Sequence, residues 1–353
     1  MIKKGIQRLV ERKNLTSEET AQIMKEIMSG ETTPAQISAF LTALRMKGET
    51  IREVTSLIQV MRQFATKIKP KVTGRILDIV GTGGDKIKTV NVSTTAAIVS
   101  AGAGATVAKH GNRSFTSKCG AADILERFGV NITADPSLIE KSIETVGIGF
   151  LFAPIYHPAM KHVVDPRREI GARTVFNILG PLTNPAAADA MLVGVYDPAL
   201  VEPVANVLAK LGLKEALVVH GLDGLDEIST IGKTSAAWMK GNEVKMTQFL
   251  PNDFGVEKAK PEMLIGNNVE ENAKTIFRML NGHLNENDRL KELVMVNAAA
   301  GIAVAGLADN FLEGMSLAKK SIVSGDAYGK LQSMVNASEG DKSKLEELES
   351  RFC

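Results

Sequence analysis

The chain has 353 residues, of which 44% are hydrophobic and 23% are charged, and its formal net charge is +2. This composition is typical of a soluble globular protein, and the length predicts two domains with a sizeable core. The near balance of charge argues against nucleic acid or an anionic membrane as the main partner, so any anion binding has to be local.

Cysteine usage and the apolar pattern indicate the compartment. The two cysteines, Cys119 and Cys353, cannot form a disulfide framework, and no metal-type Cys spacing exists. No apolar signal segment follows the charged first turns, and no stretch approaches the roughly 20 apolar residues that a membrane span needs. We therefore expect a cytoplasmic enzyme with no membrane partner.

The first 70 residues predict a bundle of four short amphipathic helices. Thr16 with Glu19 and Thr50 with Glu53 have the capping-box spacing, and Thr33 precedes a proline at a first helical position. Apolar residues recur between these caps at helical spacing. The leftover apolar stripes fit either core packing or dimer contact, and both interpretations stay open.

A polar linker follows, and strands then alternate with helices. This order predicts an α/β fold, with a mostly parallel central sheet flanked by helices. We expect residues 1–70 to form a helical bundle domain, completed by helices near 165–185, and residues 71–353 to form the α/β domain. A hairpin is predicted over 238–248 and helices from residue 268 onwards. The predicted buried strands cover residues 76–80, 106–108, 149–153, 191–195 and 216–219.

A glycine turn, residues 81–85, directly follows the first predicted strand and reads Gly-Thr-Gly-Gly-Asp. Glycines at the carboxyl end of a parallel strand let main-chain N–H groups approach an anion. Lys86 occupies the position of the third Rossmann glycine, and no Gly-Lys-Ser/Thr follows, so neither common nucleotide motif is met. By itself the turn fits a tight connection as well as an anion cradle.

Small polar side chains then precede a predicted helix, in the run Thr-Val-Asn-Val-Ser-Thr-Thr over residues 89–95. Hydroxyl and N–H groups at a helix N-terminus form a phosphate site. The alternative is an N-cap cluster, which needs only one such residue. The set exceeds that need and favours phosphate; it comprises Asn91, Ser93, Thr94 and Thr95.

A basic loop, residues 109–118, is expected after the second strand. Three cations, an amide and three hydroxyls occupy it. A solvated surface loop is the alternative, but it does not explain the position between a buried strand and a helix. Two adjacent loops of this kind at one sheet edge predict a ligand with more than one phosphate.

Two further groups of charged residues could bind a metal ion and a carboxylate. Asp223, Asp226 and Glu227 follow a predicted strand and are hard oxygen ligands suited to Mg²⁺ that bridges to phosphates, although a solvated acidic loop fits too. Arg167 has the shape for bidentate capture of a carboxylate, although with Arg168 it also fits the start of a surface helix.

In this order the motifs closely resemble the anthranilate phosphoribosyltransferases, which belong to a superfamily shared with pyrimidine nucleoside phosphorylases. The likeness continues through His157-Pro158-Ala159-Met160, Arg167, the run from Arg173 to Pro185, and Asp226-Glu227. It extends from the N-terminal helices to the last third of the chain. The resemblance implies transfer of a phosphoribosyl group from phosphoribosyl pyrophosphate to anthranilate in tryptophan biosynthesis.

The resemblance also assigns site residues and metal ligands. It implies two Mg²⁺ ions per subunit, with Ser93 as a ligand of one and Asp226 with Glu227 as ligands of the other. The anthranilate site would comprise Gly81, His110, Asn112, His157 and Arg167. The phosphoribosyl pyrophosphate site would comprise Gly81, Gly84, Asp85, Thr89, Asn91, Val92, Ser93, Thr94, Lys109, His110, Gly111, Asn112, Arg113, Ser114, Phe115, Thr116 and Ser117.

Further expectations rest on the same resemblance. They are a hinge between the two domains and a homodimer through the helical domain. An aromatic amine is uncharged at neutral pH, so we assign no general base. Relatives often have a hydroxyl where this chain has Ala121, which puts a side-chain phosphate contact there in doubt.

Two rival functions remain at this stage. One is a nucleoside phosphorylase, and the other is a non-catalytic, nucleic-acid-binding relative. Asn112, Arg167 and the Asp226-Glu227 pair favour the transferase over the first. The balanced charge and an aromatic content of only 5% argue against the second.

Overall fold

The computed structural model describes residues 1–84, 87–114 and 119–352. Four helices come first: α1 (Ile2–Val10), α2 (Ser17–Met28), α3 (Pro34–Lys47) and α4 (Ile51–Gln63). The capping boxes predicted at Thr16 and Thr50 are confirmed, and Thr33 forms a third with Gln36. These caps set the helix starts because each satisfies amides that no helical carbonyl can reach.

The alternating region forms the first half of the sheet and its helices. Its elements are β1 (Ile76–Gly81), α5 (Val92–Gly102), β2 (Thr106–Gly111), α6 (Ala121–Arg127), α7 (Pro136–Thr145) and β3 (Ile148–Phe152). A connecting region follows, with α8 (Ala153–Tyr156), α9 (Lys161–Ile170) and α10 (Phe176–Leu179). Helices α2 and α3 pack against α9, and α4 packs against α10.

The second half contributes β4 (Ala190–Gly194), α11 (Val201–Lys210), β5 (Glu215–Gly221), β6 (Thr234–Lys240) and β7 (Glu243–Phe249). The predicted hairpin is β6–β7, which turns at Gly241. The predicted C-terminal helices are α12 (Val269–Leu280), α13 (Arg289–Val304), α14 (Phe311–Val323), α15 (Asp326–Ala337) and α16 (Ser343–Phe352). No helix of the described residues is long and apolar enough to span a membrane.

In the described chain the sheet has seven strands in the order β3-β2-β1-β4-β5-β6-β7. The first five strands are parallel, and β6 and β7 are antiparallel. After β1 the chain builds outward through β2 and β3 and then returns to the other side of β1 with β4. The carboxyl ends of β1 and β4 therefore form the switch point at which open α/β sheets bind ligands.

Alternate residues of the strands feed two cores. Leu77 and Ile79 of β1 face the core formed with α5 and α13. Val80, with Met191 and Val193 of β4, faces the core shared with the N-terminal helices and α11. Strands β3 and β4 are wholly apolar and β1 is apolar apart from Asp78, as expected for parallel strands buried on both faces.

The predicted end of the second strand is wrong. Strand β2 continues through Lys109, His110 and Gly111, which were expected in the basic loop. These residues pair with β3, and Lys109 and His110 are buried. A prediction from hydrophobicity ends the strand too early here. Lys109 and His110 are polar, but they are buried and form their hydrogen bonds within the protein and not with solvent.

Candidate active site

The glycine turn lies at the carboxyl end of β1. Gly83 and Gly84 have φ values of 69° and 87°, which side chains other than glycine rarely adopt. At Gly81 the requirement for glycine is steric, since a Cβ there would lie 2.5 Å from Asp226 Oδ2. A Cβ on Gly194, at the end of β4, would lie 1.5 Å from the Asp226 carbonyl oxygen. The two strand ends therefore lack side chains because the segment around Asp226 crosses them.

Asp226 binds the glycine turn directly. Its Oδ2 accepts a hydrogen bond of 2.7 Å from the Gly83 amide, and its side chain is 6% exposed. Glu227 is half-buried and acts electrostatically on Lys109. The expected metal ligands and the expected phosphate turn are thus neighbours, as the sheet-edge argument requires.

Asp223, the third carboxylate of this segment, has a structural role. It accepts hydrogen bonds from the Ser229 hydroxyl at 2.5 Å and the Leu225 amide at 3.3 Å. These bonds close the loop that carries Asp226. Asp223 is therefore explained without a metal.

The donor set suits Mg²⁺. The described residues contain no group of three or more His, Cys, Asp or Glu side chains that could enclose a metal ion. Mg²⁺ is commonly held by one or two carboxylates, with water and substrate phosphates completing its octahedron. Asp226 and Glu227 at the strand ends match that requirement, and the half-buried Ser93 lies in the first turn of α5.

Among the described residues, no side chain caps the start of α5. The Asn91 amide group donates to the Cys119 carbonyl at 3.1 Å, and its Oδ1 accepts from the Cys119 thiol at 3.1 Å. Asn91 therefore connects α5 to the segment before α6 instead of capping α5. The N-cap interpretation fails for this residue, and the phosphate interpretation remains.

A buried polar network underlies β2. Lys109 Nζ donates to the His110 carbonyl at 2.9 Å. Asp78, in the middle of β1, accepts from the His110 amide at 3.2 Å and from Asn184 Nδ2 at 2.7 Å. Burial raises the pKa of Asp78 to about 6, opposed by the charge of Lys109, and burial lowers the pKa of Lys109. This network fixes the carboxyl end of β2.

His110 and His157 meet above that network. Their ring centroids are 5.2 Å apart, and both residues are buried. Burial lowers the pKa of His157 to about 4 and that of His110 well below its usual value. Nε2 of each ring is buried without a hydrogen-bond partner among the described residues. Both imidazoles are therefore neutral at pH 7 and present weakly polar faces suited to an aromatic ligand.

Arg167 lies in α9. Its guanidinium carbon is 5.3 Å from the centre of the Phe176 ring, and burial lowers its pKa. Within the described ranges no carboxylate lies within salt-bridge distance of it, whereas its neighbour Arg168 pairs with Asp165. A partly desolvated guanidinium with no anion of its own is suited to bind a carboxylate.

The rest of the basic loop is only partly described. Arg113 forms salt bridges with Asp123 at 2.7 Å and Glu126 at 2.9 Å, and hydrogen bonds to these carboxylates raise its pKa. Asn112 is exposed and accepts from the Arg113 amide. Arg113 must exchange these partners to reach a phosphate. Four expected site residues, Asp85, Phe115, Thr116 and Ser117, lie outside the described residues.

The remaining expected residues line the same edge. Thr89 donates to the Val90 carbonyl, while Val92 and Thr94 are buried in the first turn of α5. A Cβ on Gly111 would lie 2.8 Å from the Phe150 ring, and Ser114 donates its amide to Asp123. Ala121 is the first residue of α6.

Some functional neighbours were not singled out from the sequence. Asp78 was detectable as a lone acid within an apolar strand, and Asn184 and Arg173 belong to the run 173–185 on which the resemblance rests. Thr82 belongs to the predicted glycine turn but was given no role of its own, and Tyr196 carried no signal. Tyr196 acquires its place only because β4 lies beside β1.

Comparison with known proteins first defines the class. Residues 73–328 match the family model described as glycosyl transferase family, a/b domain, and residues 3–65 match the helical bundle domain of the same family. The family is a class of glycosyl-transferring enzymes. This class is consistent with the glycine turn, residues 81–85, at the switch point of the sheet, where a phosphate-bearing ligand could bind.

The relatives then define the family. An anthranilate phosphoribosyltransferase of Acetivibrio thermocellus is 49% identical over 95% of this chain and 96% of its own length. One from Persephonella marina is 46% identical, with 96% and 100% covered. The chain belongs to the anthranilate phosphoribosyltransferase family.

Solved structures of the same family have the same fold as this chain. The anthranilate phosphoribosyltransferase of Thermus thermophilus has a TM-score of 0.89 and 39% identity, covering 95% of this chain and 99% of that one. The Saccharomyces cerevisiae enzyme in complex with PRPP and Mg has a TM-score of 0.87 and 29% identity, covering 96% and 98%. The expected fold class, a helical bundle with an α/β domain, is confirmed.

Proposed function

We propose that this protein transfers the 5-phosphoribosyl group from phosphoribosyl pyrophosphate to anthranilate, giving N-(5-phosphoribosyl)anthranilate and pyrophosphate in tryptophan biosynthesis. The observation that carries the proposal is the contact between the Gly83 amide and Asp226 at the switch point. It brings an anion-type turn and a carboxylate suited to Mg²⁺ to one edge, and Arg167 supplies a receptor for a carboxylate.

The test is incubation with anthranilate, phosphoribosyl pyrophosphate and Mg²⁺ while the fluorescence of anthranilate is followed. The expected result is a loss of fluorescence that requires all three components. Folded protein that leaves anthranilate unchanged, but cleaves a pyrimidine nucleoside with phosphate, would overturn the proposal in favour of a phosphorylase.

The chemistry is one of positioning and charge stabilisation. Breaking the bond between the anomeric carbon and pyrophosphate leaves positive charge on the ribose and negative charge on the leaving group. The glycine turn, Lys109 and Arg113 would stabilise the leaving group, and Arg167 with Asn112 would hold the acceptor so that its nitrogen faces the anomeric carbon. The acceptor amine is neutral, so no strong general base is needed.

We further propose Mg²⁺ as the cofactor, with two ions per subunit. Ser93 would bind one ion, and Asp226 with Glu227 the other. When bound, Mg²⁺ would neutralise charge on the pyrophosphate. The yeast relative is described as a complex with PRPP and Mg, which supports the use of the metal.

The remaining site residues follow the family's pattern. We propose that phosphoribosyl pyrophosphate is contacted by Gly81, Gly84, Asp85, Thr89, residues 91–94 and residues 109–117. Gly81, His110, Asn112, His157 and Arg167 would contact anthranilate. The neutral histidine pair and Arg167, which forms no ion pair with another described residue, support the second assignment, because anthranilate combines an aromatic ring with a carboxylate.

The arrangement of the chain is also proposed. Residues 1–70 with the helices near 165–185 would form one domain and residues 71–353 the other, supported by the packing of α9 on α2 and α3. A hinge between them would close the site, the helical domain would form a homodimer, and the enzyme would act in the cytoplasm. Nucleic acid and membrane are not expected partners.

A further inference from the structure

Arg173 connects the glycine turn to the neighbouring strand. Its Nη2 donates to the Gly84 carbonyl at 2.9 Å, and its guanidinium carbon lies 4.0 Å from the centre of the Tyr196 ring. Both side chains line a cavity of about 520 Å³, together with Arg45 and His220. The assignments above give Arg173 no role.

Tyr196 holds the turn from its main chain. Its amide donates to Thr82 Oγ1 at 3.0 Å, and the Thr82 amide donates to the Gly194 carbonyl at 2.9 Å. Arg173 and Tyr196, joined by the cation–π contact, therefore hold the turn at Thr82 and Gly84. Asp226 holds the residue between them, Gly83. Three consecutive residues are fixed by three different segments.

The turn needs such support. Gly83 and Gly84 both have positive φ, and consecutive glycines lose more conformational freedom on ordering than other residues. Contacts that order the turn before a ligand arrives reduce the entropy lost on binding. Arg173 has no carboxylate within salt-bridge distance in the part of the chain that the structure describes, so the turn carbonyl and the Tyr196 ring are its partners there.

We propose that Arg173 is a positioning residue, which holds the glycine turn through the Gly84 carbonyl and Tyr196 in the shape that receives the pyrophosphate group of the donor. The inference rests on the proposed function, because it takes the turn to be the donor site. Arg173 lies six residues after Arg167. The segment that carries the proposed acceptor residue thus also supports the donor turn.

The test compares Arg173→Gln and Arg173→Lys with wild type by varying each substrate separately. Arg173→Gln is expected to raise the KM for the donor about tenfold, the effect of losing one charged hydrogen bond, and to change the KM for anthranilate much less. Arg173→Lys keeps the charge but lacks the planar guanidinium. Its KM for the donor is therefore expected to lie between the values of wild type and Arg173→Gln. Tyr196→Leu is expected to raise the donor KM more than Tyr196→Phe, which keeps the ring.

The matched control is Arg168→Ala, since Arg168 is an exposed arginine of the same region that pairs only with Asp165 among the described residues; its kinetics are expected to equal wild type. Calorimetric binding of phosphoribosyl pyrophosphate with Mg²⁺, without anthranilate, provides a readout independent of turnover. Weaker binding by Arg173→Gln at an unchanged thermal unfolding midpoint supports the inference.

Two results would overturn it. One is unchanged donor binding by Arg173→Gln, and the other is a donor KM for Tyr196→Leu that equals that of Tyr196→Phe. Failure of the proposed function is recognised separately, because wild type would then neither bind nor consume the donor.

Discussion

The Gly83 amide donates to Asp226 Oδ2 over 2.7 Å, across 143 positions of the sequence. The contact is possible because Gly81 and Gly194 leave the strand ends without side chains. Asp226, which we propose as a metal ligand, thus accepts a hydrogen bond from the amide of Gly83, in the turn that we propose as the phosphate site. When donor and Mg²⁺ bind, the carboxylate would gain a cation and the amide would donate to a phosphate oxygen instead of to Asp226.

Gly194→Ala should be strongly destabilising. Its Cβ would lie 1.5 Å from the Asp226 carbonyl oxygen, and neither main-chain segment can move without disturbing β1 or β4. We expect a loss of about 2–4 kcal/mol in the free energy of unfolding, measured by denaturant titration. Gly232→Ala is the control, because the nearest atom to its Cβ would be 3.8 Å away. Equal stability of the two variants would contradict the steric argument.

Replacing Asp226 and Glu227 together with alanine should weaken the dependence of activity on Mg²⁺. Their removal leaves fewer hard oxygen ligands at the strand ends. The Mg²⁺ concentration that gives half-maximal activity should therefore rise by about tenfold or more. A Mg²⁺ titration of the initial rate measures this, with Asp165→Ala, an exposed carboxylate, as the control. If the double variant and wild type have the same titration midpoint, these residues are not metal ligands.

Arg167→Ala should raise the KM for anthranilate by about tenfold to a hundredfold, the range expected for loss of a charged hydrogen bond. The KM for the donor should change far less, because Arg167 lies in α9 and not in the glycine turn. Steady-state kinetics with each substrate varied distinguish the two constants, and Arg168→Ala is the control. Equal rises in both KM values would refute the carboxylate role.

Asp78→Ala should destabilise the fold by about 3–5 kcal/mol at pH 7, because it leaves Lys109 buried without the carboxylate that acts most strongly on its pKa. The same change removes one of the two acceptors of the Asn184 amide group, the other being the Ala108 carbonyl. Denaturant unfolding measures the loss. The comparison is Asp165→Ala, whose exposed carboxylate pairs with the exposed Arg168 and should matter less. A loss below about 1 kcal/mol would show that the buried network contributes little.

His157 should make stability depend on pH in the acidic range. Its folded pKa is about 4 against an ordinary value of 6.5, so the unfolded chain binds the proton more tightly. The stability contributed by neutral His157 is therefore present above pH 6.5 and is lost as the pH falls towards 4. The loss is about 3 kcal/mol at most. Unfolding of wild type and His157→Gln from pH 4 to 7 should show a difference that shrinks on acidification; a constant difference would contradict the prediction.

The sequence by itself determined the local features. Capping boxes at Thr16 and Thr50, the hairpin around Gly241 and the glycine turn after β1 each depend on residues within a few positions of one another. Such signals survive because turn geometry and helix caps are set by neighbouring residues. The order of the motifs was sufficient to indicate the family.

Only the tertiary structure decided which distant residues meet. Lys109 and His110, predicted in a loop, lie in a buried strand. Asn184 donates to Asp78, and Arg173 donates to the Gly84 carbonyl. Partners this far apart in the chain leave no periodic signal, since their contact depends on which strands become neighbours in the sheet. A polar residue can then be buried as securely as an apolar one, because packing provides the hydrogen bonds that water would otherwise supply.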